Sequence, residues 1–261
     1  MTVQALAPGK TSYSYRIDNL ISGEKFYVKA YARNDAGLKE TTSIEFTTQA
    51  RTATGSPSYA AVDMGLPSGL KWASANIGAS MPEEAGLYFG WGETVGYQYK
   101  SGHSFSWTSH FSSLGSSASS SSDCGKALDP FKDIVNNAKD PEVHLPTSND
   151  AATAVMGGTW RMPTYDDYVE LLDNCTYASK VQNGVPGVQL VSKTNGNSIF
   201  FPFAGYISGT NRYSFNYDGE LWTSSPSSIY GAKILKLYDT VPSKYDSNSR
   251  YYGLPIRAVR P

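Results

Sequence analysis

One stretch constrains this chain more than any other: Gly157-Gly158-Thr159-Trp160-Arg161-Met162-Pro163-Thr164, with the helix it launches. Two glycines permit a tight backbone path, Trp160 supplies a large anchor for burial, and Pro163 ends the strand before it. Thr164 stands where an N-cap belongs, and Asp167 follows three residues later as an acidic variant of the capping box. Beyond it Tyr168, Leu171, Leu172 and Cys175 recur at i, i+3, i+4 and i+7, the apolar stripe of an amphipathic helix. Asp166, Asp167 and Glu170 fall in the first turns, where the helix dipole favours negative charge. These residues speak to fold, and no catalytic motif accompanies them.

The remaining composition narrows the function classes. In 261 residues only 17% are charged and the net charge is −1, so no clustered basic surface for nucleic acid or anionic membrane is expected. Nineteen Tyr and five Trp among many Ser, Gly and Asn suit a secreted, β-rich protein that binds through aromatic surfaces. Cys124 and Cys175 allow at most one bridge. Cys175 completes the helix stripe and reads first as a small buried hydrophobe, Cys124 lies in a polar loop, and whether they pair is left open. Met1 to Tyr15 hold no basic segment followed by an apolar one, so no signal peptide is read there. No apolar run approaches the roughly 20 residues of a membrane span. Either the protein is cytoplasmic or the sequence is a trimmed mature fragment. Composition favours the second, with an extracellular or cell-surface location.

Taken in order, residues 1–49 alternate as strands: Tyr13, Tyr15, Ile17; then Phe26, Val28, Ala30, Ala32; then Ile44, Phe46. Asn34-Asp35-Ala36-Gly37 reads as a turn. Leu20-Ile21-Ser22-Gly23-Glu24-Lys25-Phe26-Tyr27-Val28-Lys29-Ala30-Tyr31-Ala32, with Asn34, Gly37 and Phe46-Thr47-Thr48, resembles the last three strands of a fibronectin type III module. Phe26 keeps the ring of that family's tyrosine corner without its hydroxyl. The family's module has about seven strands, so the front half is expected to be missing, leaving an edge able to pair between molecules. Gln49 to Pro57 carries no periodicity and reads as a linker. The expected division is a partial β module over 1–49, a linker over 50–58 and a second domain over 59–261.

In the second domain, strands are expected at Tyr59 to Gly65, Leu70 to Ala73, Leu87 to Glu93, Gly219 to Thr223, Ala232 to Tyr238 and Leu254 to Val259. A turn at Leu66 to Gly69 separates the first two, and Met81 to Gly86 reads as a turn or short helix. A hairpin should turn at Asn195-Gly196 between Val188 to Lys193 and Asn197 to Phe203. Short helices are read at Asp133 to Lys139 and at Asn149 to Met156, the latter capped by Ser148 and stopped by Gly157-Gly158. The serine run from Ser116 to Ser122 predicts a mobile tip. The class is α+β, with few helices and many short, turn-linked strands.

Val62 to Ala73, Asn76-Ile77-Gly78-Ala79, Pro82-Glu83-Glu84, Tyr88-Phe89 and Trp91-Gly92-Glu93 carry a further resemblance. So do Gly157 to Thr164, Leu171 to Cys175, Lys193 to Phe200, Ala204-Gly205-Tyr206 and Leu221-Trp222-Thr223-Ser224. Together they resemble the Fibrobacter-type major paralogous domain of secreted bacterial proteins, itself similar to C-type-lectin-like and formylglycine-generating-enzyme-like folds. The resemblance implies a twisted central sheet, two helices, paired N- and C-terminal strands, and a surface module that is adhesive or glycan-binding. Ser74 stands where family members often have Cys, which removes any pairing of that position with Cys175.

Candidate sites follow from residue chemistry. His103, His110 and His144 lack metal-ligand spacing, and Asp218-Gly219-Glu220 reads as a turn, not a calcium loop, so neither metal nor cofactor is expected. The adjacent carboxylates Glu83/Glu84 and Asp166/Asp167 face different ways and cannot flank a glycosidic bond, so an enzyme is not expected. Tyr88, Trp91, Tyr97, Tyr99, Phe105, Trp107 and Phe111 crowd one region with Glu93 and His103. Tyr88 and Trp91 read as core; Tyr97, Tyr99 and Trp107, with Glu93 as polar partner, are candidate ligand contacts. A second candidate surface spans Tyr206 to Tyr217 and includes Asn211, Arg212, Tyr213 and Tyr217. Trp160, Arg161 and Trp222 are expected as scaffold, with Arg161 paired to backbone carbonyls or a carboxylate. Three readings stand: a binding module for a glycan or surface protein, a structural domain of a surface appendage, and, trailing both, a hydrolase or modifying enzyme.

Overall fold

The structure is a computed structural model that describes residues 25–34, 37–47, 59–99, 144–209, 211–228, 231–240 and 242–261. Two compact units divide the chain, Met1–Thr54 and Gly55–Pro261. In the first, β1 (Lys25–Val28) pairs antiparallel with β4 (Ile44–Thr47), and β2 (Tyr31–Asn34) with β3 (Gly37–Glu40). The alternation expected from Phe26 to Ala32 is therefore split between two strands that find different partners. Asn34 pairs with Gly37, whose φ of 124° is one that glycine adopts freely. Tyr13 to Ile17 and the linker lie outside the described residues.

The second unit is α+β, with short antiparallel sheets and two α-helices among the described residues. Its sequence runs β5 (Ala61–Asp63), β6 (Lys71–Ala73), α1 (Ala151–Met156), α2 (Tyr165–Asn174), β7 (Cys175–Gln182), β8 (Val185–Ser192) and β9 (Ser198–Pro202). It continues with β10 (Tyr206–Ser208), β11 (Asn211–Tyr213), β12 (Gly219–Pro226), β13 (Gly231–Leu237), β14 (Ser243–Ser249) and β15 (Val259–Arg260). In place of one central sheet there are three-stranded sheets ordered β7-β8-β9, β12-β13-β14 and β15-β6-β5, beside the hairpin β10-β11. The last of the three sheets joins the unit's first strands to its end: Val62 and Val259 flank Trp72.

Helix α2 forms as its residues dictate. The Thr164 side chain accepts from Asp167 N and the Asp167 carboxylate from Thr164 N, completing the capping box. Arg161 donates to Asp167 Oδ2 at 2.7 Å and to the Met162 carbonyl, so its partners are both a carboxylate and a carbonyl. Tyr168 and Leu171 face the core, while Cys175 opens β7 instead of closing the helix stripe and is buried as a free thiol. For α1 the cap is Asp150, not Ser148. Its carboxylate accepts from Thr153 N and, with the other oxygen, from Met162 N, tying the helix to the strand-like Trp160-Arg161-Met162. Gly157, at φ 68°, stops α1 as expected.

Other expectations are corrected by hydrogen-bond partners. Leu87 to Glu93 is not a regular strand: Tyr88 bridges to Tyr97, Phe89 to Leu254, and Trp91 N donates to the Arg250 carbonyl, so successive residues find different partners. Leu254 to Val259 likewise forms a named strand only at its end, because its backbone bonds are shared among Phe89, Trp222, Ile77 and Ala73. Gly219 and Glu220 belong to β12, so only Asp218 lies outside the strand. Strands β7 and β14 were not foreseen, and Asp133 to Lys139 and the serine run lie outside the described residues.

Strand β12 is buried on both faces and separates two cores. Trp222 faces a cluster with Trp91, Trp160, Ile234 and Ile256, while Leu221 faces another with Trp72, Tyr168, Phe201 and Leu237. Tyr88, Trp91, Trp160 and Trp222 are all buried, as the scaffold reading requires. Arg257, also fully buried, links the parts. It donates from Nε to Asn76 Oδ1 (2.9 Å), and from its two terminal nitrogens to the carbonyls of Ala73 (3.1 Å), Ser74 (3.2 Å) and Phe200 (2.9 Å). No helix among the described residues is long and apolar enough to cross a membrane.

Candidate functional site

The hairpin β10-β11 arranges the second aromatic region. Gly205 precedes it at φ +59°, and a Cβ there would lie 2.0 Å from the Tyr213 carbonyl oxygen, so only glycine lets the two strands close. Tyr206 pairs with Tyr213, Ile207 with Arg212 and Ser208 with Asn211. Side chains alternate across a strand, so Tyr206 and Tyr213 share one face while Ile207 and Arg212 share the other.

On the first face the tyrosines form a column. The Tyr206 ring stacks on Tyr213 at 5.4 Å and on Tyr252 at 4.9 Å, with interplanar angles of 21° and 22°, and Tyr251 meets Tyr252 edge-on at 4.5 Å. Two backbone bonds between Ile207 and Gly253 hold Tyr252 beside the hairpin. Each ring pair contributes about 0.5–1.5 kcal/mol beyond its burial. Tyr213, at the open end, is 44% exposed.

A polar cluster borders the column. Glu220 and Lys236 are direct partners across β12 and β13, on the face that also carries Trp222, and Tyr206 and Tyr252 pack against that same core. Lys236 Nζ lies 2.9 Å from Glu220 Oε1, and Asn248 Nδ2 donates to Oε2 at 2.6 Å. Burial raises the Glu220 carboxyl above its ordinary value, with the bonds from Lys236 and Asn248 pulling it back. Burial alone would lower the Lys236 ammonium, but the bond and charge of Glu220 outweigh it and the pKa is raised. Burial also raises the Tyr206 phenol, helped by Tyr252 and Glu220. The Glu220 and Lys236 shifts are those of a buried ion pair, packed beside the aromatic column.

The opposite face of the hairpin holds Arg212. Its guanidinium carbon lies 3.3 Å from the Phe215 ring centroid and 4.6 Å from that of Tyr99. Nearby, Tyr88 donates its hydroxyl to the Ala204 carbonyl at 2.7 Å. Burial pushes this phenol up to about 12, and Arg212 acts in the opposite sense.

The residues singled out from sequence therefore separate. Tyr213 joins the column, whereas Tyr99 underlies Arg212 on the other face. Tyr97 is half-buried and bonded through its backbone to Tyr88. Tyr217 is 81% exposed in the turn after β11 and makes no ring contact with the column. Glu93 is 1% exposed, so it stands within the interior and not on an aromatic surface. Trp107 lies outside the described residues, as do His103, His110, Phe105, Phe111 and Cys124. Sequence reasoning missed Tyr251, Tyr252, Lys236 and Asn248. The one local signal was the Tyr251-Tyr252 pair before Gly253, for nothing in the chain order points from β14 to the hairpin. His144 Nδ1 lies 3.2 Å from Ser225 Oγ. Among the described residues no three metal-binding side chains converge.

Family models, curated proteins and solved structures return no match to the chain. The site thus rests on its geometry: phenol hydroxyls, ring edges and one exposed ring, backed by the buried Glu220 carboxylate that Lys236 and Asn248 hold. Such a surface can take the apolar face of a ring and hydrogen-bond the groups around it.

Proposed function

We propose that the chain is a secreted or cell-surface, non-catalytic binding module that recognises carbohydrate through the tyrosine column. The observation that carries this reading is the column itself: four tyrosines in contact, ending on a half-exposed ring, with the Glu220–Lys236–Asn248 cluster at their side. The open face of Tyr213 suits the apolar face of a pyranose, and the neighbouring hydroxyls suit its polar rim. Within this reading the second unit is a C-type-lectin-like domain of the major paralogous type. Its support is the capped helix after Gly157 to Thr164 and the sheet that joins β5 and β6 to β15. The first unit is a partial fibronectin type III module, supported by two antiparallel strand pairs.

A structural role is the second reading. One observation favours it: Tyr206 has rings on both sides, so most of the stacked surface is spent inside the column. A glycan-array screen separates the two. The intact chain should bind saturably, with binding reduced about tenfold or more by Tyr213→Ala. The same loss by Tyr252→Ala, with no loss by Tyr217→Ala, would place the contact on the column. Silence across a broad array would move the assignment to the structural role, and binding abolished by chelator would require a metal in the site.

A further inference from the structure

We propose that the inner face of the hairpin is a second binding site, in which Arg212 takes the carboxylate of an acidic sugar. Arg212 is half-buried, and its guanidinium lies over the rings of Phe215 and Tyr99. Among the described residues no carboxylate stands within ion-pair distance of it, in contrast to Arg161 with Asp167 and Lys236 with Glu220.

The two buried arginines bond backbone carbonyls and an amide oxygen instead. Arg257 spends its donors on three carbonyls and an amide oxygen, and Arg250 bonds the carbonyls of Gly231 and Ser228. Arg212 has a single such bond, to the Tyr88 phenol. A guanidinium carries five N–H donors in a planar fork. Stacking on rings engages its faces; along its edge one bond goes to the buried Tyr88 phenol, and the remaining N–H donors have no carboxylate partner among the described residues. Two rings and the pairing of Arg212 with the buried Ile207 restrict the side chain, so little freedom remains to be lost on binding. A planar anion that accepts two parallel bonds fits such a fork best, which means a carboxylate. The aromatic rings around it, Tyr99 and Phe215, supply apolar surface for the ring that carries the acid. A hexuronate combines both features.

This site lies on the opposite face from Tyr213 and does not depend on carbohydrate binding at the column. The test uses the full chain labelled with nitrogen-15, following arginine Nε–Hε resonances while sodium glucuronate is added. Glucuronamide serves as the neutral probe of the same shape. The Arg212 resonance, identified by its loss in Arg212→Gln, should shift with glucuronate and stay unmoved with glucuronamide. Arg212→Gln should weaken glucuronate binding about tenfold or more, while Arg212→Lys retains charge without the fork and should recover only part of it. Tyr213→Ala should leave the titration unchanged, so failure at the column and failure here are distinguishable. Equal shifts with glucuronamide, or shifts of the same size at every arginine, would overturn the proposal. So would undiminished glucuronate binding by an Arg212→Gln chain whose spectrum shows it folded.

Discussion

Replacing Arg257 by methionine tests the physical account of the second unit most directly. The substitution keeps an unbranched apolar stem and removes the charged head. Four acceptors then lose their donor: the carbonyls of Ala73, Ser74 and Phe200 and the Asn76 side-chain oxygen. At the lower end of the cost of an unsatisfied buried acceptor, about 1 kcal/mol each, the loss is about 4 kcal/mol. The contact between the guanidinium and the Phe201 ring, 4.5 Å from its centroid, adds roughly 1 kcal/mol. Against this, the folded chain no longer has to hold a charge away from water with no carboxylate beside it among the described residues, which returns about 2 kcal/mol of that sum. The expected net loss is therefore about 3 kcal/mol, or roughly 6–12 °C in Tm for a unit of this size. Urea unfolding followed by tryptophan fluorescence measures it well, since Trp72, Trp91 and Trp222 are fully buried and report from both cores. Arg257→Lys should lose nearly as much, because one ammonium cannot reach acceptors spread across three segments. A loss below about 1 kcal/mol for the methionine variant would refute the reasoning: the bonds would then add nothing beyond the desolvation they offset.

Three further outcomes are expected. Asp167→Ala removes half of the capping box and the partner of Arg161, a pair exposed enough on the arginine side to count for little; the cost is about 1–2 kcal/mol in chemical denaturation. Gly205→Ala forces a Cβ against the Tyr213 carbonyl at a left-handed φ; it should cost at least about 2 kcal/mol and flatten the near-ultraviolet circular dichroism of the stacked tyrosines. The Glu220 carboxyl is raised above its ordinary value of 4.5, so the folded chain keeps its proton to higher pH than the unfolded chain does. The stability this group contributes is thus present at low pH and lost as pH rises through the window above 4.5. Urea titrations of the parent chain and Glu220→Gln from about pH 4 to about pH 7 should show the parent's relative stability falling with pH; a parallel pair of curves would remove the shift.

What the chain order revealed was local. Thr164 and Asp167 satisfy each other within one turn, and Asn195-Gly196 turns β8 into β9, so both could be read without knowing what packs against them. The Asp150 cap shows where that reading fails. Ser148 is an equally good cap by residue type, and Asp150 prevails because its second oxygen also holds Met162 N, a partner set by the fold. Strands β7 and β14 carry Thr, Ser, Lys, Asp and Asn, and their pairing is supplied by apolar neighbours β8 and β13, so they had little periodicity of their own. The tyrosine column was legible only in part for the same reason. Tyr206 and Tyr213 face each other across a short hairpin, whereas Tyr252 arrives from a segment about forty residues on, brought by two backbone bonds to Ile207. The partition of Arg212 and Tyr213 to opposite faces follows from strand alternation once the hairpin is known.

The small sheet β5-β6-β15 has a mechanical consequence. Strands β5 and β15 both run antiparallel to β6 and flank it, so they run the same way, and the ends of the unit leave from one sheet about 12 Å apart. Tension applied through the chain would drag β5 backwards and β15 forwards along β6. The bonds that β5 and β15 make to β6, with the two between Val259 and Arg161 on the other edge of β15, would then be loaded in shear, all together, and not peeled one after another. A unit placed in series between an anchor and a load would hold until that short clamp failed and would then unravel, with the Trp72 core exposed first. Single-molecule pulling from Tyr59 and Pro261 should show one sharp rupture, and pulling from Asp63 and Pro261 a weaker one.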